Sequence, residues 1–451
     1  MTLWGGRFAE KPDDGLWAYT VDHSDRRLLL DDIAGSAAHV TMLGETGIIT
    51  VDESEALRSG LVQIEEEAVE GTFEFTEGDE DVHSAVERRL VELVGEVGAK
   101  LHTGRSRNDQ IALDIRLHLR RMASLRIAEL SKFALTLAGI AEDHAETPVA
   151  SYTHLQQAQV VPLGHHLLAY AWMAVRDRSR FFDLLVRLSE SPLGASASGG
   201  SSLPLDPEVA ASALGMEGTF DNSLDAVGSR DLVAEYVFCA TQAMVNLSRL
   251  SEELILWATS EFSWVTFADR HTTGSSALPQ KKNPDMAELA RGRSAEAIGA
   301  MTTILTLQKA LPLAYNRDLQ GDKTQVFRVD DLLSGTLIAL TAMLDGAEFH
   351  PPAPSSWTSA LDLAEILVRR GVPFRHAHGA VGELVGRLVE SGHELADVTV
   401  DELTAAHDAF RPEDIESIDP LASMQARSSP GGGSPQSVHT QLTRLRELLG
   451  D

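Results

Sequence analysis

The stretch DQIALDIRLHLRRMASLRIAELSKFALTLAGIAEDHAET, residues 109–147, decides the fold. Its apolar side chains recur three and four residues apart, which is the spacing of one helix. Others fall between these positions, as at Leu113 and Leu117, so more than one face of the helix is apolar and must be covered. The run ends at Pro148, whose ring and missing N–H stop a helix. The spacing predicts a buried helix far longer than the average of about 12 residues.

Four further stretches predict long helices of the same kind. They run from about Pro162 to Leu188, Asp231 to Glu261, Asn283 to Leu311, and Lys323 to Leu344. The third of these begins at Asn283-Pro284, a cap residue followed by proline at the first helical position. Alternating patterns are nearly absent, and one short strand is predicted, at Thr72–Phe75. The sequence predicts an all-α protein in which five long helices form a bundle, with spare apolar surface for packing between chains.

Two changes of composition suggest domain boundaries. One is the polar stretch at residues 102–109, and the other is the proline-rich stretch at residues 351–356. A chain of 451 residues is too long for one ordinary core. We predict an N-terminal, mostly helical domain over residues 1–104, a central long-helix domain over 105–352, and a small C-terminal helical domain over 353–451.

The composition narrows the class of protein. The formal net charge is −29, and only seven of the 38 basic residues are lysines. An acidic surface disfavours binding to nucleic acid or to anionic membranes, and salt would relieve its self-repulsion. The single Cys239 cannot form an internal disulfide, and neither a signal peptide nor a membrane-spanning run is recognisable. We expect a cytoplasmic protein and hypothesise a halophilic source.

The first candidate for chemistry is the stretch GSSALPQKKNP, residues 274–284. A Gly/Ser loop here leads to a predicted helix start, where backbone N–H groups and the helix dipole favour an anion. Lys281 and Lys282 add positive charge. Such a loop suits a carboxylate and lowers the cost of ionising a serine. On composition alone, a flexible surface loop before a capped helix is the simpler interpretation.

Three other polar clusters lie between predicted helices, at residues 102–110, 151–156 and 315–323. Arg107 and Asn108 offer charged and amide donors suited to a carboxylate. His154 can titrate near neutral pH. Each cluster taken alone is equally compatible with a solvated turn. The paired histidines His165-His166 and the His376–His378 group lack further ligands at metal spacing, so we predict no metal site.

Taken in order, these clusters resemble the fumarase/aspartase superfamily and, within it, the argininosuccinate lyases. The similarity runs nearly end to end. The segments that carry it are Leu3–Phe8, Glu80–His83, His102–Gln110, Thr153–Gln156, Pro279–Asp285, Tyr315–Gln320 and Gly431–Pro435. Two of these segments, Gln280–Asn283 and His102–Gln110, separate this family from fumarases and adenylosuccinate lyases.

The resemblance implies a fold and an activity. The fold is a fumarase/aspartase-like three-domain subunit whose central five-helix bundle assembles into the twenty-helix core of a homotetramer, with each active site drawn from three subunits. The activity is the reversible splitting of argininosuccinate into arginine and fumarate, a step of arginine biosynthesis, without metal or organic cofactor. The alternatives are another fumarate-releasing lyase, such as adenylosuccinate lyase, and a crystallin-like structural protein.

The resemblance also implies roles for individual residues. Ser275 and His154 form the acid–base pair, with Ser275 as base and His154 as acid, although the two roles are sometimes assigned the other way round. Glu288 orients the histidine, and Lys281 with Asn283 holds the reacting carboxylate. The implied substrate-binding residues are Ser106, Arg107, Asn108, Thr153, Asn283, Tyr315, Gln320 and Lys323. One departure is Val21, which stands at about the position of a substrate-contacting serine, beside Thr20.

Overall fold

The computed structural model of the chain describes residues 14–450, so the predicted motif Leu3–Phe8 lies outside the described residues. Helices dominate this part of the chain. Its α-helices are α1 Asp14–Thr20, α2 Leu29–Glu45, α3 Val51–Glu70, α4 Val82–Val94, α5 Arg107–Asp143, α6 Leu163–Arg187, α7 Pro207–Ala213, α8 Ser223–Gly228, α9 Asp231–Trp257, α10 Asp285–Gln308, α11 Asp322–Asp345, α12 Ala360–Arg369, α13 Phe374–Glu390, α14 Val400–Ala406, α15 Pro420–Ala426 and α16 Pro435–Leu449. The predicted all-α class is confirmed.

The five predicted long helices are present as α5, α6, α9, α10 and α11. Several of their ends differ from the prediction by two to four residues, as at Asp143, where α5 ends rather than at Thr147. Helix α9 ends at Trp257 rather than near Glu261. Helix α10 begins at Asp285, because Asn283 pairs as a strand with Thr273 and therefore does not cap the helix.

Short strands form four two-stranded sheets in the described chain. The strands are β1 Pro148–Thr153, β2 Gln156–Pro162, β3 Glu190–Ser191, β4 Gly218–Thr219, β5 Val265–Phe267, β6 Thr273–Gly274, β7 Lys282–Asn283 and β8 Ala347–Phe349. The sequence did not predict the β1–β2 hairpin. The strand predicted at Thr72–Phe75 is wrong, because the N–H groups of Thr72 and Phe73 both donate to the carbonyl of Glu67 and so complete the end of α3.

The chain divides into two compact units, and each long helix contributes residues to both. The first unit takes the chain to Ile127 and adds Ser179–Gln242 and Ser294–Ser334, and the second comprises Ala128–Arg178, Ala243–Arg293 and the chain from Gly335 onward. The three predicted domains, 1–104, 105–352 and 353–451, divide the chain differently and stay a prediction.

In the first unit, an apolar core joins α2, α3, α4 and the start of α5, through residues such as Leu43, Leu61, Leu90 and Leu113. Buried ion pairs accompany this core. The Arg230 guanidinium lies 2.6 Å from Asp322, and both side chains are almost fully buried. Because a broken buried pair leaves an uncompensated charge, such a pair fixes the relative position of the helices that carry it.

In the second unit, helices α12 to α14 share an apolar core that includes Leu363, Leu367, Leu384 and Leu403. Elsewhere in this unit, β5 pairs antiparallel with β8, and Trp257 stacks on Trp264 with ring centroids 5.5 Å apart. No helix among residues 14–450 combines the length and apolar character that crossing a bilayer requires.

Candidate active site

The predicted site residues fall into two groups of six, one in each compact unit. The first unit holds Ser106, Arg107, Asn108, Tyr315, Gln320 and Lys323, and the second holds Thr153, His154, Ser275, Lys281, Asn283 and Glu288. The first group is the predicted substrate-binding set without Thr153 and Asn283. The second group contains all four predicted catalytic residues.

The first group surrounds a cavity of about 400 Å³. Every residue that lines this cavity belongs to the first unit: Thr20, Asp22, Asp25, Glu80, Asp81, His83, His102, Arg107, Asn108, Ile111, Tyr315, Arg317, Gln320 and Lys323. Five of the six predicted residues of the first group line the cavity, and the exception is Ser106. The cavity therefore gathers residues far apart in the sequence, as a binding site requires.

The start of α5 positions three of these side chains. The Ser106 Oγ accepts the N–H of Asn108 at 3.3 Å and so caps the helix rather than facing the cavity. The Arg107 Nε lies 3.0 Å from an Asp81 oxygen, and its Nη2 is buried without a partner in the described chain. The Asn108 Nδ2 donates to the carbonyl of Ala197 at 2.8 Å. Arg107 and Asn108 thus reach the cavity partly oriented in advance.

Helix α11 and the turn before it supply the other cationic and amide groups. The Lys323 side chain is buried, and its Nζ donates to Asp322 at 3.0 Å. The Gln320 Nε2 donates to the carbonyl of Thr20 at 3.1 Å. Burial raises the pKa of Tyr315, although nearby positive charges including Arg230 oppose the shift, so its hydroxyl remains a donor at neutral pH.

The cavity also contains acidic groups that sequence reasoning did not single out. Asp25 is buried, and its Oδ2 accepts the N–H of Val82 at 3.1 Å. Its Oδ1 has no partner among the described residues. Burial raises the pKa of Asp25, against the opposing charges of His83 and Lys323. The sequence offered one signal for the acidic side of this cavity. It was the motif Glu80–His83, whose first and last residues both line the cavity.

The departure at Val21 does not leave the cavity without a hydroxyl, because Thr20 lines it. The Thr20 Oγ1, however, donates to the carbonyl of Leu16 at 3.0 Å within its own helix. The carbonyl of Thr20 accepts from Gln320 and Arg317 instead. Thr20 therefore presents its backbone rather than a free hydroxyl.

His154 lies at the tip of the β1–β2 hairpin, between Thr153 and Gln156, which pair with each other. His154 and Leu155 form a two-residue turn with φ angles of 54° and 57°. Two left-handed residues match the twist of a hairpin, but without glycine each costs on the order of 1 kcal/mol. The tip is exposed, and Leu155 is 81% exposed. A costly turn with an exposed apolar side chain is typical of a functional site.

Ser275 begins the loop that joins β6 to β7. Its Oγ accepts two backbone N–H groups, from Ala277 at 3.2 Å and from Leu278 at 3.1 Å. These donors belong to the loop itself and not to helix α10, which begins only at Asp285. Two donors aimed at one oxygen favour its ionised form, because each stabilises developing negative charge.

The two adjacent lysines of this loop differ in their contacts. Lys282 forms an ion pair with Asp269 at the base of the loop. Lys281 is exposed, and its ammonium makes no ion pair within the described chain. Asn283 lies on β7, with its amide 3.5 Å from the Thr273 Oγ1. The two lysines thus differ, because Lys282 is ion-paired with Asp269 and Lys281 is free to contact a ligand.

Glu288 is exposed in the first turn of α10. No hydrogen bond joins it to His154 among residues 14–450. The predicted Glu288–His154 pair therefore is not made within this chain as described.

Asp32, His83 and Asp114 are the described residues whose types and spacing could hold a metal ion. Their polar atoms already interact with one another, since the His83 Nδ1 lies 2.9 Å from Asp32 and 3.4 Å from Asp114. Asp32 also accepts from the side-chain amide of Gln110. We interpret this group as a buried hydrogen-bond network.

Comparison with known proteins gives matches over nearly the whole chain. A family model described as Lyase matches residues 6–299, and one described as Argininosuccinate lyase C-terminal matches residues 357–425. An argininosuccinate lyase of Carboxydothermus hydrogenoformans is 46% identical over 455 residues and 100% of both chains. One of Frankia casuarinae is 45% identical, over 100% of this chain and 98% of the relative. The solved structure of EDDS lyase in complex with formate has a TM-score of 0.81 and 29% identity, over 96% of this chain and 88% of that one.

Proposed function

The chain belongs to the argininosuccinate lyase family, and we propose how its residues carry out that family's reaction, the elimination of fumarate from argininosuccinate to release arginine. The reaction breaks a carbon–nitrogen bond. It needs a base for the hydrogen beside a succinyl carboxylate, stabilisation of the charge that then spreads into that carboxylate, and an acid for the departing guanidino nitrogen.

Ser275 is the base. A serine hydroxyl is a weak base, so it must act as the alkoxide. The observation that carries this role is the pair of backbone N–H groups directed at its Oγ, from Ala277 and Leu278. In a site closed to water, two such donors would stabilise the alkoxide strongly, because electrostatic interactions gain strength as water leaves.

Lys281 and Asn283 hold the reacting carboxylate as it gains charge. Lys281 is suited to this role because its ammonium is exposed and unpaired within the described chain, whereas Lys282 is held by Asp269. Asn283 follows two residues later on β7 and adds an amide donor. A full positive charge beside a doubly charged transition state lowers the barrier more than it stabilises the substrate.

His154 is the acid that protonates the leaving nitrogen, directly or through one water. The constrained turn at His154 and Leu155 orients the imidazole. Glu288 orients the same ring, because a carboxylate can accept a hydrogen bond from one imidazole nitrogen and leave the other to face the substrate. Since the two residues do not bond within one chain, we propose that Glu288 and His154 meet across a subunit contact.

The cavity of the first unit binds the amino-acid end of the arginyl group. That end carries one ammonium and one carboxylate. The cavity offers both kinds of partner, with an unpaired oxygen on Asp25 for the ammonium and donors on Asn108, Tyr315 and Gln320 for the carboxylate. Opposite charges in one half-buried cavity favour a zwitterion over a simple anion or cation.

We propose that the active enzyme is a homotetramer in which each site combines residues of three subunits. Exposed apolar side chains on the long helices support this assembly, because Phe238, Ile298 and Leu305 are about half exposed. Exposed Leu155 at the hairpin tip supports it as well. Large side chains of this kind on a bundle helix are usually covered by another chain.

We also propose that the protein works in a cytoplasm with a high salt concentration. The net charge of −29 and the scarcity of lysine support a cytoplasm rich in salt. At high ionic strength the screening length falls to about 3 Å, which removes most of the self-repulsion of an acidic surface.

The test is release of fumarate, followed by its ultraviolet absorbance, when argininosuccinate is added to the wild-type protein in low and in high salt. We expect fumarate from argininosuccinate and none from adenylosuccinate. Release from adenylosuccinate alone would establish the other lyase activity. No release from either substrate, by protein that is folded and tetrameric, would favour the crystallin-like structural role.

A further inference from the structure

His83 lines the cavity, and one nitrogen of its ring contacts two buried carboxyl groups. The Nδ1 atom lies 2.9 Å from an Asp32 oxygen and 3.4 Å from an Asp114 oxygen, and all three side chains are buried. The Nε2 atom makes no hydrogen bond within residues 14–450. Because Nδ1 faces the carboxyl groups and the ring lines the cavity, Nε2 is the nitrogen available to a ligand.

The two carboxyl groups behind His83 differ in the direction of their pKa shifts. Burial pushes the pKa of Asp32 upward, but His83, Arg105 and Gln110 outweigh burial and hold it at about 2. Burial and the negative charges of Asp32 and Asp31 raise the pKa of Asp114 well above its ordinary value. Asp32 is therefore ionised at neutral pH, whereas burial and the acidic neighbours of Asp114 favour its protonated form. The two pKa values move apart in this way because two neighbouring buried carboxyls cannot easily both be charged.

Charged groups surround the ring on every side. Asp25 precedes α2, Asp81 caps α4, and Arg105 and Arg107 lie at the start of α5. His102 and Lys323 complete the set on the cavity side. Burial, followed by the charges of Arg105, Arg107 and His83, lowers the pKa of His102 to about 4, so His102 stays neutral at working pH.

Resting on the function proposed above, we propose that His83 is a further substrate-binding residue, whose Nε2–H donates to the carboxylate of the arginyl end, and that Asp32 and Asp114 are positioning residues acting through it. The contact of Nδ1 with Asp32 fixes the orientation of the ring, so Nε2 is the atom left to face a ligand. A second ionised carboxylate behind the ring would compete with the substrate carboxylate for the imidazole, and the raised pKa of Asp114 disfavours that state.

The first test is His83→Asn, with His118→Asn as the matched control. His118, on α5, is buried like His83, and its Nδ1 lies 3.0 Å from an oxygen of Asp31. Unlike His83, it does not line the cavity. We expect His83→Asn to raise the KM for argininosuccinate about 10- to 100-fold with kcat changed less than threefold, since a lost charged hydrogen bond has that size. His118→Asn should lower thermal stability and leave KM unchanged.

The split between KM and kcat is a readout that a structural role would not produce, because a defect in folding would lower kcat or thermal stability rather than raise KM alone. An unchanged KM in folded His83→Asn, or an equal rise in His118→Asn, would overturn the inference. If the wild type releases no fumarate at all, the proposed function fails instead, so the two failures are distinguishable.

The carboxyl pair provides the second test. Asn resembles a protonated carboxyl, so Asp114→Asn should raise KM less than Asp32→Asn, which removes the charge facing His83. Circular dichroism establishes that each variant is folded. If Asp32→Asn does not fold, Asp114→Asn still decides, because it should raise KM less than His83→Asn does. A KM effect in folded Asp114→Asn as large as that of His83→Asn, or larger than that of Asp32→Asn, would contradict the roles given to the two carboxyl groups.

Discussion

The cavity of the first unit and the hairpin and loop of the second unit are built in opposite ways. In the cavity, side chains from the long helices α5 and α11 and from the turn before α11 already have partners within the chain, as with Lys323, which is 5% exposed and bonded to Asp322. In the second unit, His154 and Lys281 stand on turns that face solvent. The proposed binding groups are thus buried or half-buried, and His154 and Lys281, proposed for chemistry, are exposed.

This difference supports the proposed assembly. A cavity whose side chains are already hydrogen-bonded or ion-paired needs little further ordering to bind a ligand. An alkoxide and a charged transition state need a site closed to water, and an exposed turn does not provide one. The proposed tetramer would supply that cover from another copy of the chain.

The largest effect should come from the oxygen that receives two backbone N–H groups. We expect Ser275→Ala to lower kcat by about 1,000-fold or more, because it removes the base, while KM changes little. Fumarate release under saturating substrate measures the loss. Ser276→Ala is the control, since it alters the adjacent exposed hydroxyl. A loss of similar size in Ser276→Ala would show that kcat depends on the integrity of the loop and not on the Ser275 oxygen itself.

A buried ion pair should dominate the stability of the cavity side. We expect Arg230→Leu to reduce the free energy of unfolding by about 3–5 kcal/mol. The substitution removes the guanidinium that pairs with Asp322 and leaves this carboxylate buried with fewer positive neighbours. Arg328→Leu is the control, since it breaks an exposed pair with Glu296 and should have little effect. Urea unfolding measures both, and equal effects would contradict the contrast between buried and exposed pairs.

The same pair predicts a pH dependence. Burial would raise the pKa of Asp322, but Lys323 and Arg230 outweigh it, and the pKa lies below its ordinary value. A lowered pKa stabilises the fold above the ordinary value of about 4 and loses that effect as pH falls through the folded value. The gap between wild type and Arg230→Leu should therefore shrink below about pH 4, and a constant gap would exclude the charge as its cause.

A smaller effect is expected from the cavity donors. We expect Tyr315→Phe to raise KM about tenfold with kcat nearly unchanged, because one hydrogen bond to the substrate is lost in ground state and transition state alike. Tyr19→Phe is the control, since Tyr19 is 88% exposed. A fall in kcat without a change in KM would move Tyr315 from binding to chemistry.

The smallest effect concerns the whole surface. With a net charge of −29, the melting temperature should rise by several degrees between about 0.1 M and 1 M KCl, as the screening length falls from about 10 Å to about 3 Å. A melting temperature that is flat or falls over this range would count against a halophilic source.

The sequence predicted the long helices well because their apolar spacing is a local property that survives in the fold. It did not predict the hairpin that carries His154, since its strands are short and QQAQVVP, residues 156–162, lacks a clear alternation. It suggested a helix cap at Asn283, where backbone pairing with Thr273 prevails. It gave no role to Asp25 or His83, because their burial and unpaired atoms depend on contacts between distant segments.

The most direct test of a site shared between copies mixes two defective chains. Ser275→Ala and Tyr315→Ala chains, each assayed alone with substrate well below the raised KM of the Tyr315 variant, should have little activity. Co-expressed mixed tetramers should recover about a quarter of the wild-type rate, because each site draws one cavity and one loop at random. A double mutant mixed with wild type is the control for simple dilution. If the mixed tetramers show no recovery beyond the two parents, each site is built from a single chain, and the account of an incomplete monomer is contradicted.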